Sequence, residues 1–374
     1  MAMANKAFGI IASAPNYIRV QGLHDHRPIG AFSFLGRFRV IDFPMSNMSN
    51  SGIDHVHIYV NSRPRSIVEH VGSGRHFNIN SKRGKVQILF TQKNSASSIY
   101  NNDITAYVEN FDIIDRMHED YVVIAPAYMV YKQDYQQLLD YHVESGADIT
   151  LLYQKVETDV ESFRGCSVLN LNRQKGVKSI TRNLGAAKDK NIFMDTYVMK
   201  KELFMKLVQR AKKESSVYTL MDIVSASCDD LDVRGYQHKG YFAAITSLLD
   251  YYEASMELLD QNVTRDLFQS KWPIYTRTTD TCPTQYFDGA KVTNSLVSNG
   301  CLIEGTVENS VIGRSVHIAK GAVIKDSVIL AYTDIAEGVH VENSIVDKWA
   351  KLNHVKEVIG TKDEPVYIAR NDIL

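Results

Sequence analysis

The sequence predicts an α/β domain with a mostly parallel sheet, followed by a short C-terminal left-handed parallel β-helix. Two observations carry this reading. Up to residue 263, short β-branched and aromatic runs alternate with amphipathic stretches, the order that builds strand–helix–strand units. From residue 289 onward the apolar period becomes six, the repeat of a coil made of short strands. The predicted divisions are residues 1–263, a connector over 264–288 and a β-helix over 289–374.

Taken in order, "AFGIIAS", "HVHIYV", "VQILF", "YVVIAP" and "DITLLYQ" predict strands, because each is a short apolar run bounded by polar residues. "PRSIVEHV", "TAYVENFDIIDRM" and "KQDYQQLLDYHVESG" predict helices, the last closing on a glycine suited to the left-handed cap. "SLLDYYEASMELLDQNV", 247–263, predicts one amphipathic helix with an apolar tyrosine face. The connector has two prolines and little periodicity. In the last region Ile312, Ile318, Ile324 and Leu330 are each six apart, with Val316, Ala322 and Val328 two residues before three of them. One inward aliphatic per strand is what a β-helix needs, and a run of about 65 residues gives three or four coils of about eighteen residues.

With 42 basic and 43 acidic residues, the chain offers no global electrostatic reason to bind nucleic acid or a membrane. Cys166, Cys228, Cys282 and Cys301 show neither zinc spacing nor a disulfide framework. No window reaches the ~18 apolar residues of a membrane span, and the N-terminal apolar run is too short for a signal peptide. A soluble cytoplasmic protein is expected. His24, Asp25 and His26 read as a solvated polar loop, and Ser13 and Ser46 lack the base that a nucleophile needs. "KRGK", 82–85, reads as an exposed turn.

The segments "GRFRVIDFPMSNMSNSGIDHVHIYV" (36–60), "VENFDII" (108–114), "VVIAPAYMVYKQDYQQLLDYHVESGAD" (122–148), "KWPIYT" (271–276) and "NSLVSNGCLIEGTVENSVI" (294–312) together resemble bacterial glucose-1-phosphate adenylyltransferase, the ADP-glucose pyrophosphorylase family. The resemblance implies a Rossmann-like nucleotidyltransferase domain joined to a left-handed β-helix, assembled as tetramers. It also implies a set of charged and glycine motifs from which this chain departs. The family's phosphate loop A-G-G-x-G-x-R is "SAPNYIR" here, Ser13 to Arg19, with Pro15 lacking an N–H and Tyr17 placing a ring where a glycine stands. R-A-K-P-A becomes "RPIGA", so the lysine is Ile29. R-G-T-A-D-A becomes "NNDITA", 101–106. The two metal aspartates correspond to Tyr128, in "PAY", and Ala244, in "FAAITS". The sugar-phosphate lysine corresponds to Asn183, in "RNL".

Nucleotidyl transfer relies on Mg²⁺, lysines and backbone donors to neutralise developing charge, and Mg²⁺ needs oxygen ligands. With these positions vacated, the expectation is a chain with no metal or other cofactor and no catalytic residues. It is closest to the regulatory, D-type subunit, with Mg²⁺ acting in a catalytic partner of a hetero-oligomer. Arg19, Arg27, Arg37 and Arg39 are candidates to receive a phosphorylated effector, beside the plainer reading that the 36–52 segment holds the domain together through Asp42 and helix caps at Ser46 or Asn47. The alternatives are a weakly active sugar-phosphate nucleotidyltransferase, an acyltransferase using His317 or His340, and a structural partner without a ligand.

Overall fold

The computed structural model describes residues 6–80, 82, 84–91, 100–157, 163–185 and 189–374. A nine-stranded sheet forms the first region. At its centre Ala7–Ala12 runs parallel to Tyr121–Pro126 on one side and to His55–Val60 on the other, with Lys85–Phe90 outermost. Asp189–Lys200 joins antiparallel to Tyr121–Pro126 and to Ile149–Glu157. Side chains alternate between faces, so Ile11, Val123 and Ala125 enter one core while Phe8, Ile10, Val122 and Ile124 enter the other. Burial on both faces explains why these strands read as unbroken apolar runs.

Helix Tyr135–Ser145 forms as expected: the Asp134 carboxylate accepts from Gln136 N and Gln137 N, and Gly146 closes it at φ 66°. Two other expectations need correction. The 247–263 helix is two helices, Leu248–Glu257 and Gln261–Leu267, because Asp260 caps a new start by accepting from Asn262 N at 2.8 Å. "TAYVENFDIIDRM" likewise divides into Asp103–Glu109 and Phe111–Asp115 at Asn110, whose side chain donates back to Ala106 O at 3.0 Å.

The second region is a left-handed β-helix of three parallel sheets, each of five strands. Its core is lined by Ile312, Ile318, Ile324, Ile329, Ile335, Val341, Val346 and Leu352. Ile329, rather than Leu330, takes the inward place. Its coil repeats every 17 residues, the separation of the stacked Ser310 and Ser327, so one side of the triangle is a residue shorter and strict six-fold counting slips there. Val328 and Leu330 instead join Val311 and Ile345 in the core of the first region. Between the two regions Tyr252 Oη donates to Asp326 O at 2.6 Å, and the loop at Gly36 (φ 67°) comes so close that a Cβ would lie 2.7 Å from Ile312 O.

Candidate functional site

Beyond the carboxyl ends of Ala7–Ala12 and Tyr121–Pro126, where open α/β sheets bind ligands, two adjoining cavities of about 370 and 380 Å³ share the wall Ser13–Asn16, Tyr59, Asn61 and Asn101. Tyr128 lines the first of them, and Ala244, which lines neither, lies beside it on the neighbouring strand. Ala244 pairs with Met129, and Ile245 N donates to Tyr128 O at 2.9 Å. The sequence positions that correspond to two metal carboxylates therefore converge across one short antiparallel pair.

The Tyr128 hydroxyl donates to Asp195 at 2.5 Å. Asp195, at φ 42° where the Asp189–Lys200 ladder shifts register, was not among the expected site residues. Its signal in the sequence is one acid inside the apolar run "IFMDTYVM". Burial pushes its carboxyl up to about 6 against the opposing hydrogen bond from Tyr128. Asp103, raised to about 6 by burial, ties two helix starts together by accepting from Leu220 N and Ile104 N. Asp222 belongs to the capping box of Thr219. Tyr17 projects from the 13–19 loop so that the Arg182 guanidinium lies 4.0 Å over its ring. Asn183 is spent on the loop beside it, donating to Phe163 O at 2.9 Å and accepting from Gly185 N at 3.0 Å. Ile29 is a buried part of the second cavity's wall.

Magnesium does not fit these residues. It requires several oxygen ligands near octahedral geometry. Tyr128 is a protonated phenol bonded to Asp195, Ala244 offers no ligand atom, and Asp103 and Asp222 are held by backbone N–H groups. Among the described residues no cluster of three or more His, Cys, Asp or Glu could hold a metal ion.

A folded-state pKa of about 6 for Asp195, above the unfolded carboxyl range, means the native state holds a proton more tightly. The carboxylate then costs stability above pH 6, and the cost fades as pH falls from about 6 toward 4. Asp195→Asn keeps the acceptor and tolerates positive φ. It should stabilise the protein at pH 7.5 by on the order of 1–3 kcal/mol and leave it unchanged at pH 4, as read by urea unfolding at both.

The four arginines separate. Arg19 is exposed at the second cavity. Arg27 leaves the effector group: it is buried in an ion pair with Asp347 of the β-helix. Arg37 and Arg39 line a cleft of about 150 Å³ between the two regions. Arg277, Arg314 and Lys348 join them, and no carboxylate lines this cleft among the described residues. Lys348 is lowered to about 7 by burial first, then by Arg27 and Arg39; Arg39 and Arg314 are also depressed, chiefly by burial. Four guanidinium groups and a partly protonated lysine around one small space favour an anion there. The 36–52 segment also has its structural role. Asp42 accepts from Arg39 N at 2.8 Å and bonds His70 Nε2 at 2.5 Å. Ser46 and Asn47 lie within the helix Asp42–Asn50 rather than capping it, and bind Tyr275 N and Trp272 Nε1 of the connector. Of the 82–85 turn, Arg83 lies outside the described residues.

The fold and the cleft define a nucleotidyltransferase architecture with a β-helix appended. The nucleotidyl transferase family model matches residues 18–261, and a GlmU-like C-terminal hexapeptide model matches 283–365. The chain belongs to the nucleotidyl transferase family, alongside the adenylyltransferases of glucose 1-phosphate. It is 30% identical to glucose-1-phosphate adenylyltransferase of Geobacillus stearothermophilus, over 86% of this chain and 84% of that one. It is 32% identical to the glycogen biosynthesis protein GlgD of the same organism over the same shares. With GlgD of Bacillus subtilis (strain 168) it shares 29% identity over 98% of this chain and 96% of the relative. No helix among the described residues is long and apolar enough to cross a membrane.

Proposed function

We propose that this chain is the regulatory, catalytically impaired subunit of an ADP-glucose pyrophosphorylase and acts on a catalytic homologue in glycogen biosynthesis. The observation that carries the reading is the meeting of Tyr128 and Ala244 at the strand ends, where neither side chain can bind Mg²⁺. Similarity both to GlgD and to glucose-1-phosphate adenylyltransferase supports a shared pathway. The subunit works by differential contact: surfaces that fit the partner's active conformation better than its inactive one shift that equilibrium. The basic cleft between the regions is the effector position, because an anion there touches the α/β domain through Arg37 and Arg39 and the β-helix through Arg314 and Lys348.

The test is Mg²⁺-dependent pyrophosphate exchange by the purified chain, by the catalytic homologue and by their mixture. The chain alone should show none, and the mixture should exceed the homologue by several-fold. Equal rates for mixture and homologue would end the regulatory reading. A second reading, a weakly active sugar-phosphate nucleotidyltransferase, takes support from the Asp195 carboxylate beside Tyr128. Exchange by the isolated chain that Asp195→Asn abolishes would favour it.

A further inference from the structure

The first of the two adjoining cavities at the strand ends is acidic. Asp103, Asp195 and Asp222 line it against one guanidinium, Arg182, and no lysine or histidine lines it among the described residues. The lining therefore carries a surplus of two negative charges. Much of the remaining wall is aromatic: Tyr17, Tyr59, Tyr107, Tyr128 and Tyr197 border a space of about 370 Å³. It shares no lining residue with the basic cleft between the two regions. A phosphorylated ligand meets the wrong sign of charge in such a cavity. A cation gains from the carboxylates and again from the electron-rich faces of the rings.

Two polar atoms of this wall are left open. Asp195 Oδ2 accepts from the Tyr128 hydroxyl at 2.5 Å, while Oδ1 has no hydrogen-bond partner among the described residues. Tyr59 is 3% exposed, and its hydroxyl likewise has no partner among the described residues. Its ring is braced edge-to-face against Tyr107, with centroids 5.0 Å apart and planes at 87°, so the hydroxyl is held in place. A buried phenol left unpaired calls for an explanation, and a ligand is one. Asp103 and Asp222 are already engaged, by the Leu220 backbone N–H and the Thr219 cap, so they add charge rather than a first contact. The rim already holds one cation over a ring, Arg182 on Tyr17 at 4.0 Å.

We propose that this cavity is a binding site for a small organic cation bearing primary ammonium groups, an aliphatic diamine by class, with Asp195 as the anchoring carboxylate. A primary ammonium has three N–H donors: one meets Asp195 Oδ1, and another suits the oxygen of the Tyr59 hydroxyl. Two ammonium groups match the surplus of two carboxylates, and the methylenes between them lie against Ala106, Ile124 and Leu220. A quaternary ammonium lacks the donors. Magnesium, which dehydrates reluctantly and wants several oxygen ligands, gains little from the rings. The inference is independent of the effector reading of the basic cleft.

The test is calorimetric titration of the full chain with 1,4-diaminobutane at low ionic strength, beside 1,4-butanediol, tetramethylammonium and Mg²⁺. The diamine should bind saturably with one site per chain, the quaternary ion and Mg²⁺ about ten-fold more weakly, and the neutral diol not at all. Asp195→Asn retains the acceptor for Tyr128 and should weaken the diamine by about ten- to hundred-fold, and Tyr59→Phe by about three-fold. Absence of saturable diamine binding overturns the inference. So does a diol or Mg²⁺ that binds as tightly as the diamine, or an affinity that Asp195→Asn leaves unchanged.

Discussion

Arg27→Ala should destabilise the protein by about 3–5 kcal/mol, the scale for breaking a buried ion pair by removing one member. Arg27 is 4% exposed and Asp347 is 0% exposed, and the pair joins the α/β region to the β-helix. Without the guanidinium, Asp347 keeps, among the described residues, the Tyr367 hydroxyl at 2.9 Å and the Lys348 backbone N–H at 2.7 Å. Those two donors do not balance a buried negative charge. The loss is one of burying an orphaned ion, so it should be repaired from the other side. Arg27→Met combined with Asp347→Leu should recover most of the stability, because paired apolar replacements relieve the desolvation of both charges. Urea unfolding of the single and double variants gives both numbers. A single-variant loss below about 1 kcal/mol would mean the pair is solvated in solution. The same variant bears on the proposed regulation. A ligand in the basic cleft would touch both regions, and Arg27→Ala loosens the joint between them without removing any cleft residue.

The period of the apolar residues exposed the architecture, and the places where it misled have local causes. Ile329 and Leu330 are adjacent aliphatics, so counting by six passes smoothly onto the wrong one; only the stacked strand pairs Ile312–Ile329 and Ile329–Val346 expose the 17-residue coil. Asp260 sits in a helix-like pattern, where its capping role leaves no trace in periodicity. Arg27 shows the harder limit. As one of four arginines in a basic-looking stretch it resembled an anion ligand, but its partner lies 320 residues away and follows no local rule. The basic cleft was half legible. Arg37 and Arg39 stand together in the text, whereas Arg277, Arg314 and Lys348 come from three other segments that only the docking of the β-helix brings alongside. At the strand ends the substitutions were readable one by one. That Tyr128 and Ala244 are neighbours, and that Asp195 bonds the phenol, needed the strand register.

Tyr128→Asp together with Ala244→Asp should raise the chain's affinity for a divalent cation without raising its turnover. Tyr128 directly precedes the strand Met129–Tyr131, whose first residue pairs with Ala244, so both new carboxylates sit at one end of that strand pair, and Tyr128→Asp also frees Asp195 from its phenol. Carboxylates crowded at one place cannot all ionise unassisted, so the double variant should hold an extra proton near neutral pH. Mg²⁺ should then bind with release of that proton, seen in calorimetry as an enthalpy that changes with the buffer. Either single variant should bind far more weakly, because one carboxylate with Asp195 alone gives too few ligands. Turnover has further requirements. Pro15 cannot donate an N–H to a triphosphate, Tyr17 occupies the loop's approach, and Ile29 and Asn183 supply no ammonium. Each missing electrostatic stabiliser is worth about 10²–10³ in rate, and such losses multiply when the groups act separately. Pyrophosphate exchange by the double variant should therefore stay at the level of the unmodified chain. Ile29→Lys and Asn183→Lys added to it should bring the first measurable rise. Tight Mg²⁺ binding by the unmodified chain, or exchange restored by the two aspartates alone, would show that the cleft kept more of its apparatus than Tyr128 and Ala244 imply.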